Sequence, residues 1–155
     1  MDGMTEYTNV PVKGVRGAGA FTVLAGVIMI LAGIAVWILV ATQLAAENIT
    51  VSDDSTFLAG ALAGQQVQGP LTAYAQADII NHHALEASGG ATYAELEQDD
   101  PVRDTMMNAS FLRASLFTSV VSFGICALVI GLGIVLWVVG GALRRLGRAP
   151  LPPAV

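Results

Sequence analysis

The sequence predicts an all-α membrane protein, a two-helix transmembrane hairpin that carries a small, mostly helical extracytoplasmic segment. Hydrophobic residues make up 54% of the 155 and charged residues only 12%, against about 25% charged in a soluble domain. Mean hydropathy is +0.65. The few charges leave two gaps, 17–46 and 114–143, each 30 residues long. A helix crossing a bilayer needs only about 20 apolar residues, and buried helices of soluble proteins seldom run that far without a charge.

Residues 1–16 form a short tail with Gly, Pro and Thr scattered through it. Transmembrane helix 1 follows over 17–46. Its apolar core, Phe21 to Ala41, exceeds the about 7–15 residues of a signal-peptide h-region, which predicts an uncleaved anchor. The stretch 47–113 is acidic, with ten carboxylates against Arg103 and Arg113. Within it, the β-branched Ile49-Thr50-Val51 and several glycines predict an irregular or weakly paired run over 47–69. Pro70 suits the first position of a helix over about 70–87, which Ser88-Gly89-Gly90 ends. Thr92 and Glu95 are spaced as a capping box and predict one or two further turns. Asp99-Asp100-Pro101 predicts a helix start, and nothing breaks the pattern before Gly147. That helix contains transmembrane helix 2 over 114–143 and ends in a basic tail, 144–155. Running from about 101 to 146, it would be roughly 69 Å long, against about 30 Å for the hydrocarbon core. It therefore projects outward as a rod on which the 70–87 helix can pack.

Orientation follows from the cations. Lys13 and Arg16 precede the first span, and Arg144, Arg145 and Arg148 follow the second. By the positive-inside rule both termini are cytoplasmic and 47–113 lies outside, with Trp37 and Trp137 towards opposite bilayer faces. The net charge of −5 is then an acidic exterior set against basic inner flanks. No basic patch exists beyond those flanks, which excludes nucleic acid as a partner. Cys126, the single cysteine, lies in the second span, so no internal disulfide can staple the outer segment.

Both spans carry small residues at 4-3 spacing. In the second these are Ser115, Ser119, Ser122, Cys126, Gly133 and Gly140, with Val129 and Leu136 on the same stripe. The first carries Gly19, Thr22, Gly26, Met29 and Gly33 on a comparable stripe. Small residues let membrane helices approach closely, and the spacing favours a left-handed crossing. These seams either pack on each other as an antiparallel hairpin or dock onto a partner. Gly124, Ala127 and Gly131 form a second small face on the second span. Apart from the Cys126 thiol neither span holds an ionisable group, which argues against a proton or ion pathway through this chain alone.

Outside the membrane one cluster could carry chemistry. Asp78, His82 and Glu86 are spaced i, i+4, i+8 on one helical stripe and are candidate metal ligands. Ala73, Ala77, Ile80, Ala84 and Ala87 lie nearly opposite and should face the protein, leaving the acidic–histidine stripe as a solvated face with i,i+4 pairing. No nucleophile elbow, Walker loop or dinucleotide fingerprint is present, so no catalytic residue and no cofactor is assigned.

Three stretches, GPLTAYAQADII at 69–80, SGGATYAEL at 88–96 and NASFLRASLFTSVVSF at 108–123, resemble a group of small two-span actinobacterial membrane proteins of unestablished function. The resemblance implies a bacterial plasma membrane. Some members are labelled aromatic-ring-opening dioxygenases. Ring opening at a non-haem iron uses two His and one carboxylate arranged facially, whereas His82 and His83, adjacent on a helix, point about 100° apart. The expectation is a non-catalytic accessory or scaffold subunit, partnered by the lipid bilayer and by other membrane subunits or a second copy. The alternatives are an extracytoplasmic metal- or pH-sensing module and a ring-opening dioxygenase.

Overall fold

The computed structural model describes residues 14–147. The tail assignments for 1–13 and 148–155, with Lys13 and Arg148, lie outside the described residues. Among the described residues the protein is all-helical and has no strand. The helices are α1 (Val15–Ala46), α2 (Pro70–Ala87) and α3 (Arg103–Leu146). α1 and α3 are both long and apolar enough to cross a membrane. A core helix of a soluble protein is mostly buried, but in the most apolar stretches of α1 and α3 only 11% and 22% of residues are buried. Two compact units divide the chain, one drawing on residues up to Gly33 and from Leu128 on, the other Ile34–Ala127.

In the first unit α1 and α3 form an antiparallel helical hairpin with glycine opposite glycine. Gly19 meets Gly140 and, one heptad on, Gly26 meets Gly133. A Cβ built on Gly26 would stand 2.5 Å from the Gly133 carbonyl oxygen, and one on Gly133 would stand 2.7 Å from that of Gly26. The two backbones are therefore in direct contact, at a separation that only glycine permits. A repeat of seven residues is the spacing that keeps two such seams facing each other.

The second unit is centred on α2. Pro70 occupies the first turn, where its missing N–H costs nothing. Gly69 at the N-cap has no side chain, so Thr72 acts instead: its hydroxyl accepts from the Gly69 N–H at 3.2 Å. At the other end Gly90 N–H donates to Leu85 at 2.7 Å and Gly89 N–H to Glu86 at 3.3 Å, the paired bonds of a Schellman motif. The core holds Val51, Val67, Ala73, Ala75, Ala77 and Leu116, with Leu44, Phe57 and Val120 packed against it. α2 thus rests on α3, while the chain before it closes over the top. Val51 and Val67 are brought together by one antiparallel bridge, Thr50 with Gln66, and by Val67 N–H to Ile49 and Val51 N–H to Gln65 bonds.

Burial on α2 is wider than one amphipathic stripe. Ala73, Ala77 and Ala84 are buried as their stripe predicts, but so are Ala75 and Ile79, on nearly the opposite side, while Ala87 is exposed. The helix is covered from two directions, and short Ala side chains make that double packing feasible. Two other expectations change. Residues 92–98 make turns and no helix, although Glu95 does cap Thr92. Asp100 caps as the sequence predicts, its carboxylate accepting from Val102 N–H at 2.8 Å, but α3 begins at Arg103.

Candidate functional site

Two places bring the sequence-predicted residues together. The first is the seam. Gly19, Gly26 and Gly33 are the buried residues of α1, with Thr22 and Met29 half-buried beside them. On α3, Cys126, Gly133 and Gly140 are buried, Ser119 and Ser122 half-buried, and Ser115 exposed. The hydroxyls do not reach across to another helix. Thr22 donates to Ala18 O at 2.8 Å, Ser119 to Ser115 O at 3.2 Å and Ser122 to Thr118 O at 2.8 Å. Each is satisfied inside its own helix, so these positions act through smallness and not as polar glue. Cys126 is a buried free thiol. The second small face is open: nothing lies within 4 Å of a Cβ on Gly124 or Gly131.

The second place is a cleft of about 380 Å³ in the Ile34–Ala127 unit, lined by Asp54, Thr56, Asp78, Ile79, Asn81, His82 and Leu85. Asp78 and His82 reach it from α2, and Asp54 from the preceding loop. Glu86 does not line it; it pairs with His82 at 3.2 Å across one helical turn. His83, which does not line the cleft, meets Asp54 at 2.5 Å. The hydrogen bond from His83 holds the Asp54 carboxyl below its ordinary range. The two imidazoles, 6.3 Å apart, thus serve different carboxylates. Among the described residues no group of three or more His, Cys, Asp or Glu is placed to hold one metal ion.

Sequence reasoning missed three features of this unit. One is the Asp54–His83 tie, whose partners are 29 residues apart with no pattern linking them. Another is a run of aromatic contacts from the loop to α2 to α3: Phe57 to Tyr74 at 5.0 Å and Tyr74 to Phe117 at 5.8 Å, edge to face. The third is Arg103. Its guanidinium lies 4.3 Å over the Tyr93 ring and donates to the carbonyls of Tyr93, Leu96 and Glu97, pinning the 92–97 turns to the start of α3. A cation just after Asp99-Asp100-Pro101 reads as a helix-start neighbour, and no spacing rule links it to Tyr93.

No protein family, curated protein or solved structure matches the chain.

Proposed function

We propose that the protein is a non-catalytic subunit or scaffold of a membrane complex, inserted by α1 and α3, with both termini cytoplasmic and residues 47–113 outside. The observation that carries this reading is how α3 divides its glycines. Gly133 and Gly140 are consumed against Gly26 and Gly19, whereas Gly124 and Gly131 stand open with Ala127 exposed between them. Lipid offers no hydrophobic drive for association, so helices in a bilayer associate through such close-approach faces. An unused one fits another subunit's helix or a second copy. Large apolar side chains cover the rest, among them Phe21 at 73% exposure, Leu31 at 62% and Leu128 at 61%, a surface suited to lipid and not to water.

The orientation is supported by cations gathering at one end of the hairpin. Arg16 adjoins Gly147, and Arg144 adjoins Gly19, as the positive-inside rule requires of a cytoplasmic end. The resemblance to two-span actinobacterial proteins supports a bacterial plasma membrane. A photo-crosslinker placed at Gly131 in intact cells tests the subunit role. Adducts to another chain are expected from that position. A chain that gives none there, and that migrates as a strict monomer from native membranes, would end the proposal.

A second reading, a pH-sensing outer module, is favoured by the His83–Asp54 contact, which ties the 52–64 loop to α2. Hydrogen exchange of that loop between about pH 5 and 8, the range in which His changes charge, decides it. Exchange that does not differ between wild type and His83→Asn would rule this reading out.

A further inference from the structure

We infer that the Ile34–Ala127 unit carries a lipid-binding shelf that lies in the interfacial layer of the bilayer, built from Leu58, Leu71, Tyr74 and Phe117, with Arg113 as its phosphate-seeking cation. The inference rests on the membrane reading above and goes beyond it by giving the outer segment a ligand.

The first ground is exposure combined with contact. Leu58 and Leu71 are 55% and 56% exposed, and Tyr74 and Phe117 remain 38% and 37% exposed although they meet edge to face. Phe57, stacked on Tyr74, fixes the loop beside α2. A water-facing outer domain would not place this much apolar surface together.

Backbone strain is the second ground. Leu58, Ala59 and Gly60 have φ of 50°, 56° and 80°, three left-handed residues in succession. Non-glycine residues avoid that region because Cβ crowds the following carbonyl oxygen. The result of the strained turn is to hold Phe57 inward and to turn Leu58 out.

Depth is the third. The uncharged stretch 114–143, as a helix, is about 45 Å long, which matches the about 40–45 Å of hydrocarbon plus headgroup layers. Its first turns, with Leu116 and Phe117, then lie at headgroup level, and Leu116 belongs to the same core as Ala73, Ala75 and Ala77. The shelf is therefore level with the interface. α2 is polarised to match. Leu71 and Tyr74 lie in its first turns, while Asp78, His82, His83 and Glu86 follow farther along.

Arg113 is the fourth. Its Nε is buried without a hydrogen-bond partner, and its guanidinium lies 5.8 Å over the Phe117 ring. Arginines at this depth lay their stems on apolar surface and send the head to lipid phosphate. Tyrosine at the same level is the usual companion. Lipid is the occupant that answers both the apolar shelf and an arginine whose Nε has no partner among the described residues.

The test uses the full wild-type chain in vesicles of phosphatidylethanolamine and phosphatidylglycerol. These carry a photoactivatable lipid with its diazirine either beside the glycerol carbonyls or at the acyl-chain end. Peptic peptides are then mapped by mass spectrometry. The shallow probe is expected to label 57–60 and 70–75 about fivefold more than 82–99, as interfacial burial requires, and the deep probe to label 121–139. Leu58→Glu with Leu71→Glu should abolish the shallow labelling and leave the deep labelling unchanged. Deep labelling of 121–139 with 57–60 and 70–75 unlabelled would overturn the shelf while the membrane reading stood; a protein partner covering the surface would give the same result. No deep labelling of α1 or α3 would overturn both. The wild-type map decides even where the double variant fails to fold.

Discussion

Arg103 spreads its guanidinium across the Tyr93 ring while donating to the Tyr93, Leu96 and Glu97 carbonyls. One side chain thus satisfies three acceptors in a stretch with no helix or strand of its own. Hydrogen bonds to a charged donor are worth about 1.5–3 kcal/mol. Arg103→Ala is expected to destabilise the turns by about that much, read as faster amide exchange over 92–102. Arg103→Lys should restore little, because an ammonium lacks the planar face that lies on the Tyr93 ring. Glu95 works on the same turns by charge. Its carboxylate accepts from the Thr92 N–H at 2.7 Å and from the Thr92 hydroxyl at 2.8 Å, and these bonds lower its pKa. Asp54 is lowered likewise, chiefly by His83. A carboxyl depressed in the folded state contributes stability that is fully present above its unfolded value of about 4 and is lost as pH falls through the lower folded value. Protection of the Thr92 amide should therefore fall only below about pH 4, and Glu95→Gln should remove that acid-dependent step. A Thr92 amide that titrates near neutrality would contradict this assignment.

Among the elements, the hairpin is the most sharply determined. A Cβ on Gly26 or Gly133 would meet the opposing backbone at 2.5 or 2.7 Å, and backbone cannot step aside as a flexible side chain can. Gly26→Ala and Gly133→Ala are each expected to cost about 1–3 kcal/mol as overpacking, measured as a fall in the unfolding midpoint in mild detergent. Gly131→Ala, in open space, should be neutral or stabilising by up to about 1 kcal/mol, because alanine costs less entropy in a helix. Equal losses at positions 131 and 133 would mean that the seam is not where the backbones meet. Much of this was legible in the sequence. The two uncharged stretches mark α1 and α3, the heptad spacing of glycines picks out the residues that meet, and Pro70 with Ser88-Gly89-Gly90 brackets α2. All three signals are local, set by period or by turn chemistry. What was not legible is tertiary. The burial of Ala75 and Ile79 depends on where the 47–69 chain folds back. Thr92 and Glu95 have the spacing of a helix start, yet the bonds they make close a turn that no helix follows. Similarly, the left-handed turn at Leu58 and Ala59 contradicts their own preferences and is imposed by the contacts around it.

For the whole molecule, the governing asymmetry is charge against membrane. Of the seven Lys and Arg residues, five flank the outer ends of the spans in sequence (Lys13, Arg16, Arg144, Arg145 and Arg148) and two, Arg103 and Arg113, lie in the segment between them. In the proposed topology that is five inside against two outside. The carboxylates of the middle segment add little, because orientation follows Lys and Arg and not net charge. Replacing Arg144, Arg145 and Arg148 together with Asn leaves two against two and removes the bias. The hairpin seam should survive this change, since the Gly19–Gly140 and Gly26–Gly133 contacts involve backbone. A fluorescent-protein fusion at the C-terminus, which matures in the cytoplasm, and a periplasm-active phosphatase fusion at the same point report the two orientations. The natural sequence should give fluorescence and no phosphatase activity, and the triple variant a mixture of the two, with the total amount of membrane-inserted protein unchanged. Phosphatase activity from the natural sequence would invert the topology and place the acidic segment, with its shelf and cleft, on the cytoplasmic side. An unaltered signal from the triple variant would instead assign the orientation to Lys13 and Arg16 alone, as expected where the first helix dominates insertion.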